Sequence, residues 1–301
     1  MSIRNRHRVG GRFVTKDLIT LARQHYAAEL RFTARVESEA VVRAFATVPR
    51  ERFVGSGPWR IRSPMNMAEY WTTPDANPRH VYHDVLIALD EARGLNNGQP
   101  SLWAYLFDQL RIMAAEEVLH LGSGTGYYTA IAAEIAGSAS KITALEIDAG
   151  LAERARLALT PWPWISVSNA DGSRARFNPV DVIFASAGAT HPLLSWVDAL
   201  KPGGRLLFPM TTTGFGPGAA MLVTRGHGDQ FAARFVGQVG FIDFQGARNS
   251  GTARQLTAAL RRDRGIAVKS LRRDQHEKSQ TCWLHGRGWC LSRLSTGGGE
   301  A

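Results

Sequence analysis

One stretch constrains this chain more than any other: an apolar run that ends in three glycines at alternate positions, Val118-Leu119-His120-Leu121-Gly122-Ser123-Gly124-Thr125-Gly126-Tyr127. The run predicts a short β-strand, the glycines a sharp turn, and the residues from Tyr127 the opening of a helix. Glycine is needed where a chain turns hard and where a bound molecule must approach bare backbone. The pattern then repeats. Strands are predicted at Glu117–Leu121, Lys141–Ile147, Ile165–Ser168 and Asp181–Ala185, with helices at Tyr127–Ala136, Leu151–Leu159 and Pro192–Leu200 between or after them. Strands that alternate with short helices pair in parallel through right-handed crossovers. The expected fold is therefore α/β and Rossmann-like.

The flanks differ in character. Residues 16–47 carry apolar positions at helical spacing, and Pro49 ends that pattern. Gly, Pro, Ser, Thr and Asn crowd Gly55 to Pro78, which predicts a long irregular segment. Pro100 suits the first turn of a helix running to Leu110. Pro202-Gly203-Gly204 is expected to turn the chain into a strand at Arg205–Pro209, followed by antiparallel strands at Ala219–Thr224 and Phe231–Phe241. The tail predicts a helix at Ala253–Arg262, a strand near Val268–Leu271 and a hairpin within Thr281–Ser292. The implied division is an N-terminal helical and irregular segment (1–80), a central domain (81–245) and a C-terminal extension (246–301) of unassigned role.

The glycine spacing narrows the ligand. A nicotinamide-binding loop has its third glycine three residues after the second, a place held here by Tyr127, and Gly126 comes one residue earlier. That favours the S-adenosylmethionine form of the loop, with Gly122, Ser123, Gly124, Thr125, Gly126 and Tyr127 on the cofactor side. Glu146 closes the next strand, 20 residues past Gly126, where a carboxylate can accept from both ribose hydroxyls, and Ile147 follows it. Asp171-Gly172 follows the third strand, where an acidic side chain can accept from an adenine amino group. His120 stands two before Gly122, a position usually acidic in adenosylmethionine enzymes. It is expected either to bond locally as a structural imidazole or to assist the cofactor.

Composition excludes some classes. No run of about 18 apolar residues is present, so no membrane-spanning helix is expected. The basic head (Arg4, Arg6, Arg8, Arg12) has no apolar core after it, so a secretory signal is not expected and a cytoplasmic location is the default. Net charge is +10, but the arginines are scattered, with a second group at Arg261, Arg262, Arg264, Arg272 and Arg273. A solvated surface is favoured over a nucleic-acid site. Cys282 and Cys290 have no histidine or cysteine partners at zinc spacing and read as buried thiols, so no metal is expected.

Along residues 37–245 the chain resembles the protein-L-isoaspartate O-methyltransferase family. Val41-Val42-Arg43-Ala44-Phe45 and then Val48-Pro49-Arg50-Glu51-Arg52-Phe53-Val54 are similar to that family's first helix and its Val-Pro-Arg-Glu-x-Phe-Val signature. Val81-Tyr82-His83-Asp84 resembles its Ala-Tyr-x-Asp segment, and Val118–Ala132 its glycine motif with the following tyrosine. Ala170-Asp171-Gly172 and the Lys-Pro-Gly-Gly-Arg-Leu stretch within Leu200–Pro209 complete the series. The resemblance implies a class I methyltransferase fold with a mostly parallel central sheet flanked by helices. It further implies S-adenosyl-L-methionine as cofactor and a protein or peptide carboxylate as acceptor. Such an acceptor is already ionised at neutral pH, so no general base is needed and positioning carries the reaction.

The acceptor loop departs from the family. Where Thr-Ile-Ser, one further residue and Pro are usual, this chain has Asn96-Asn97-Gly98-Gln99-Pro100, which puts Gly98 in the serine's place. Asn96, Asn97 and Gln99 are expected to offer amide donors, Ser101 a hydroxyl, and Gly98 freer backbone N–H groups. The alternatives are a methyltransferase of a specialised or modified peptide, and an adenosylmethionine-binding regulatory protein without catalysis. A nucleic-acid amino-methyltransferase is disfavoured, because Ala185-Ser186-Ala187-Gly188 stands where those enzymes carry Asn-Pro-Pro-Tyr or Asp-Pro-Pro-Tyr.

Overall fold

The computed structural model describes residues 13–212 and 218–296. The arginine head and residues 297–301 lie outside them. Helices α1 (Phe13–Thr33) and α2 (Glu39–Thr47) come first, α2 opened by Ser38, whose hydroxyl accepts from the Val41 N–H. Strands β1 (Arg60–Ser63) and β2 (Asn66–Thr72) then form an antiparallel hairpin, joined by β3 (Leu86–Asp90) and β4 (Leu95–Asn96) in a four-stranded sheet of order β2-β1-β3-β4. The irregular segment expected from Gly55 to Pro78 is thus partly strand. Its turn-forming composition lies in the bends, while Ile61, Tyr70 and Trp71 sit on the strands.

Helix α3 (Pro100–Leu110) begins at its proline. It leads into β5 (Glu117–Leu121), α4 (Tyr127–Ala136), β6 (Lys141–Glu146), α5 (Ala149–Ala158), β7 (Ile165–Asn169), β8 (Val180–Ala185) and α6 (Leu194–Asp198). The chain continues through β9 (Leu200–Thr211), β10 (Gly218–Arg225), β11 (Phe231–Gln238), α7 (Ser250–Asp263), β12 (Ser270–Arg272), β13 (Cys282–Gly286) and β14 (Trp289–Ser292). Two local expectations change. Helix α6 is shorter than Pro192–Leu200, and Pro202-Gly203-Gly204 does not turn the chain but lies within β9. The irregular pairing there sets Val180 opposite Leu200 and Val182 opposite Arg205, so the extra residues bulge out of the ladder.

Ten strands make one sheet of order β13-β14-β12-β11-β10-β9-β8-β5-β6-β7. The portion β9-β8-β5-β6-β7 is parallel, as the alternating segments predict, and every pairing beyond β9 is antiparallel. The fold is Rossmann-like α/β with a mixed sheet. Alternate residues feed two apolar layers. Val118, Phe184 and Leu207 pack with Tyr26, Phe45, Phe107 and Tyr127 under helices α1 to α4. Leu119, Ile183, Leu206 and Phe208 pack with Trp196 and Leu256 under α6 and α7. Among the described residues, no helix is long and apolar enough to cross a membrane.

The tail corrects the reading of its cysteines. Both are buried and free. They are not isolated, however: the β13–β14 hairpin and the loop before it bring His276 and His285 to Cys282 and Cys290, with one ligand atom from each within 4.8 Å of the rest. Linear spacing hid this, because the hairpin pairs His285 with Cys290 across the strands.

Candidate active site

The glycine loop crosses the carboxyl end of β5. The Gly122 and Ser123 N–H groups both donate to the Leu145 carbonyl at 2.8 and 3.0 Å, which ties the loop to the end of β6. Gly122 and Gly124 hold left-handed backbone (φ 73° and 56°) that L side chains rarely adopt. Gly126 serves packing: a Cβ there would lie 2.7 Å from Leu159 Cδ1. Tyr127 opens α4, is 1 % exposed, and meets Tyr26 hydroxyl to hydroxyl at 3.3 Å. The N-terminal helices are thereby clamped onto the loop's helix.

Glu146 ends β6 with its carboxylate turned back to the loop. Oε2 accepts from the Gly124 N–H at 2.7 Å and Oε1 from the Asp148 N–H at 3.0 Å. Burial holds its carboxyl above the ordinary glutamate range, opposed by those two N–H groups. Each carboxylate oxygen can accept a second bond, so two hydroxyls of a ligand remain acceptable. Ile147 beside it is 43 % exposed and lines the same cavity. Asp148 caps α5 and takes an ion pair from Arg93 at 2.6 Å, tying the β3–β4 turn to this rim. Asp171 Oδ1 accepts from the Ser173 N–H and hydroxyl at 2.8 and 2.7 Å.

A cavity of about 1350 Å³ brings these residues together. Gly122, Ser123, Gly124, Thr125, Tyr127, Glu146, Ile147, Asp171 and Gly172 all line it, and so do Asn96, Asn97, Gln99 and Ser101. The volume exceeds the roughly 300–1,000 Å³ of a single small-ligand pocket, leaving room for an acceptor beside a cofactor. Two sequence candidates are not on its wall. Gly126 faces Leu159, and His120 is buried beneath the loop, stacked on Phe184 with ring centroids 4.0 Å apart. His120 bonds Thr129 Oγ1 at 2.8 Å and Ser186 Oγ at 2.7 Å, and burial drives its imidazole down to about 3. It is a neutral structural histidine.

Buried hydroxyls at the loop point to a ligand. Ser123 Oγ and Thr125 Oγ1 are buried and have no hydrogen-bond partner in the protein. Such orphans are costly, and a bound polar group satisfies them.

The acceptor loop is held differently from the sequence expectation. The Gly98 N–H donates to Asn96 Oδ1 at 2.9 Å, and the Gln99 amide donates to Asp84 and to Ser101 Oγ at 3.0 and 2.9 Å. These donors brace the loop itself. The residue that fixes it is Arg50, wholly buried. Its five N–H groups reach Asn97 Oδ1 and the carbonyls of Val81, His83, Val85 and Gly98 at 2.8–3.3 Å. The sequence displayed Arg50 inside a motif but gave no sign of its target. Arg93 and residues 238–245, also on the cavity wall, carried no sequence signal.

Comparison with known proteins agrees with this geometry. Residues 22–248 match the family model described as protein-L-isoaspartate(D-aspartate) O-methyltransferase. The chain is 33 % identical over 185 residues to protein-L-isoaspartate O-methyltransferase 1 of Geotalea uraniireducens, covering 59 % of this chain and 72 % of that one. It is 28 % identical over 228 residues to the Methanothermobacter thermautotrophicus protein-L-isoaspartate O-methyltransferase, covering 74 % and 95 %. In fold it is similar to a Plasmodium falciparum structure described under the same enzyme name and bound to S-adenosyl-L-homocysteine. The TM-score there is 0.59 at 15 % identity, over 74 % of this chain and 98 % of that one. A family match that spans the clamping helices, the glycine loop and the carboxylate behind it leaves one conclusion: the chain belongs to the protein-L-isoaspartate(D-aspartate) O-methyltransferase family of adenosylmethionine-dependent enzymes.

Proposed function

We propose that this chain transfers a methyl group from S-adenosylmethionine to a carboxylate of a peptide or protein, and that its preferred acceptor differs in shape from an isoaspartyl peptide. The observation that carries the reading is the single cavity that joins the glycine loop and Glu146 to the Asn96–Ser101 loop, with the Ser123 and Thr125 hydroxyls of the glycine loop unsatisfied in the protein. The cofactor, when bound, supplies a methyl group on a positively charged sulfur. Glu146 takes ribose hydroxyls on its remaining lone pairs, and the loop glycines let the ligand approach the backbone. Ser123 and Thr125, whose hydroxyls have no partner in the protein, would donate to a polar group of the cofactor. An acceptor carboxylate arrives ionised and needs no base. The chain's task is to aim it, which well-oriented groups accomplish without proton transfer.

Gly98 supports the altered acceptor. Its backbone is left-handed (φ 78°), and a Cβ there would sit 2.9 Å from Tyr128 Cε2 and 3.0 Å from Trp103 Nε1. A serine in the usual family position would have to displace the aromatic rings packed against it and hold a left-handed backbone. Asn96 and Ser101 accept bonds from within the loop through Oδ1 and Oγ, and their donor hydrogens are what they can offer to an acceptor. The test is a labelled-methyl assay on isoaspartyl peptides beside a panel of other acidic peptides, read as base-labile ester. Higher turnover on a member of the panel is expected. Turnover confined to isoaspartyl peptides would defeat the altered-acceptor reading, and none on any acidic peptide would defeat carboxylate methylation.

A further inference from the structure

Far from the cavity, at the opposite edge of the ten-stranded sheet, two imidazoles and two thiols converge. Cys282 and His285 lie on β13, Cys290 on β14, and His276 on the loop between β12 and β13. Residues three apart on a regular strand point to opposite faces. Here the β13–β14 register slips by one residue between Cys282 and Leu284, so Cys282 and His285 share a face. His285 is paired directly with Cys290, and Cys282 with Ser292, two residues from Cys290 on the same face. That bulge gathers Cys282, His285 and Cys290 on one face, and the loop before β13 carries His276 to them.

We infer that His276, Cys282, His285 and Cys290 bind one zinc ion that staples the C-terminal strands together. The distances suit it. Cys282 Sγ lies 3.5 Å from His276 Nε2 and 3.7 Å from His285 Nδ1. Tetrahedral zinc, with bonds of about 2.3 Å to sulfur and 2.0–2.1 Å to nitrogen, sets sulfur and nitrogen about 3.5 Å apart. The imidazole rings stand at 81° with centroids 4.9 Å apart, close enough for both to reach one ion. A donor set of two sulfurs and two nitrogens selects zinc among common ions, and four protein ligands leave no open position for catalysis.

The surroundings are those of a metal ligand set. His276 Nδ1 meets the Asp274 carboxylate at 3.1 Å, which leaves Nε2 free to face the thiols. Arg272 grips that carboxylate through both oxygens at 3.0 and 2.6 Å. Carboxylate support behind a ligating imidazole fixes its tautomer and direction. The Ser279 N–H donates to Cys282 Sγ at 3.4 Å. On ligation each thiol releases its proton to solvent, and two thiolates balance the dication. The ion would anchor residues 273–281, which lack regular structure, and fasten edge strand β13.

The whole chain, purified under reducing conditions without chelator, is expected to carry about one zinc per molecule by mass spectrometry. After chelation, cobalt titration should give the visible bands of a tetrahedral site with thiolate charge transfer in the near ultraviolet. Cys290→Ser and His285→Asn should lose the stoichiometric ion, and Asp274→Asn should weaken affinity by about 10–100-fold. Three results would overturn the inference: a reduced native chain that holds no zinc and gives no cobalt bands, a quantitative Cys282–Cys290 disulfide in place of the ion, or full zinc retention in Cys290→Ser. The first two use the native sequence and do not depend on any variant folding.

Discussion

Glu146 and His120 show how two titratable side chains a few ångströms from one loop acquire opposite duties. Glu146 faces the cavity, so Glu146→Ala should cost adenosylmethionine about 2–3 kcal/mol, or roughly 30- to 150-fold in affinity. Calorimetric titration with the cofactor or its demethylated product checks this, and unchanged affinity would remove Glu146 from the binding set. In the proposed reading the ionised carboxylate accepts the ribose hydroxyls, and burial raises its pKa. Wild-type affinity should therefore be full at neutral pH and fall on acidification sooner than a surface glutamate would allow. His120 acts on stability. Its folded value is about 3, whereas the unfolded imidazole titrates near 6.5. Between those values the unfolded chain binds the extra proton, so the contribution is complete above about pH 6.5 and is lost as pH falls, at up to about 1.4 kcal/mol per pH unit. His120→Gln should flatten the stability difference between pH 7 and pH 5 by up to about 2 kcal/mol in urea unfolding. An unaltered slope would place the acid sensitivity elsewhere.

Among the elements, the parallel strands β5, β6 and β8 were legible because each is a short, mostly apolar run that ends near a glycine or an acidic residue. Glu117–Leu121 and Tyr127–Ala136 emerged with the bounds the residues imply. The hairpin β1–β2 was hidden by the turn-forming residues around it, and Pro202-Gly203-Gly204 by a composition that normally ends a strand. The cavity wall was legible from motifs, since its glycines and Glu146 sit at strand ends. The roles of Asn97 and Gln99 were not, because hydrogen-bond partners brought from distant segments leave no mark on local spacing. Gly98 carries a prediction at this scale. Gly98→Ser should lose about 1–3 kcal/mol, through left-handed strain and the push against Tyr128 and Trp103. It should also fail to raise isoaspartyl turnover. A fully stable variant with enhanced isoaspartyl activity would show that the loop yields where its packing says it does not.

For the molecule as a whole, the surplus of positive charge is less available than its sum suggests. Arg272 and Arg273 pair with Asp274 and Asp198 at 2.6 and 2.7 Å, and Arg262 donates to the Trp283 carbonyl at 3.1 Å. The densest arginine group in the tail is thus partly spent within the fold. Duplex DNA should bind weakly, without sequence preference and with a steep loss on adding salt. A tight, sequence-selective complex at physiological salt, seen by fluorescence anisotropy, would contradict this. Arg50 has a different consequence. Four of its five partners are main-chain carbonyls, at Val81, His83, Val85 and Gly98. Every residue type carries that oxygen, so the guanidinium grips the chain's path and not its vocabulary. At His83, whose side chain is exposed, that side chain can be rewritten without loosening the grip, which separates where the chain sits from what it says. A lineage built on this frame can exchange the molecule it modifies while the methyl donor stays where it was.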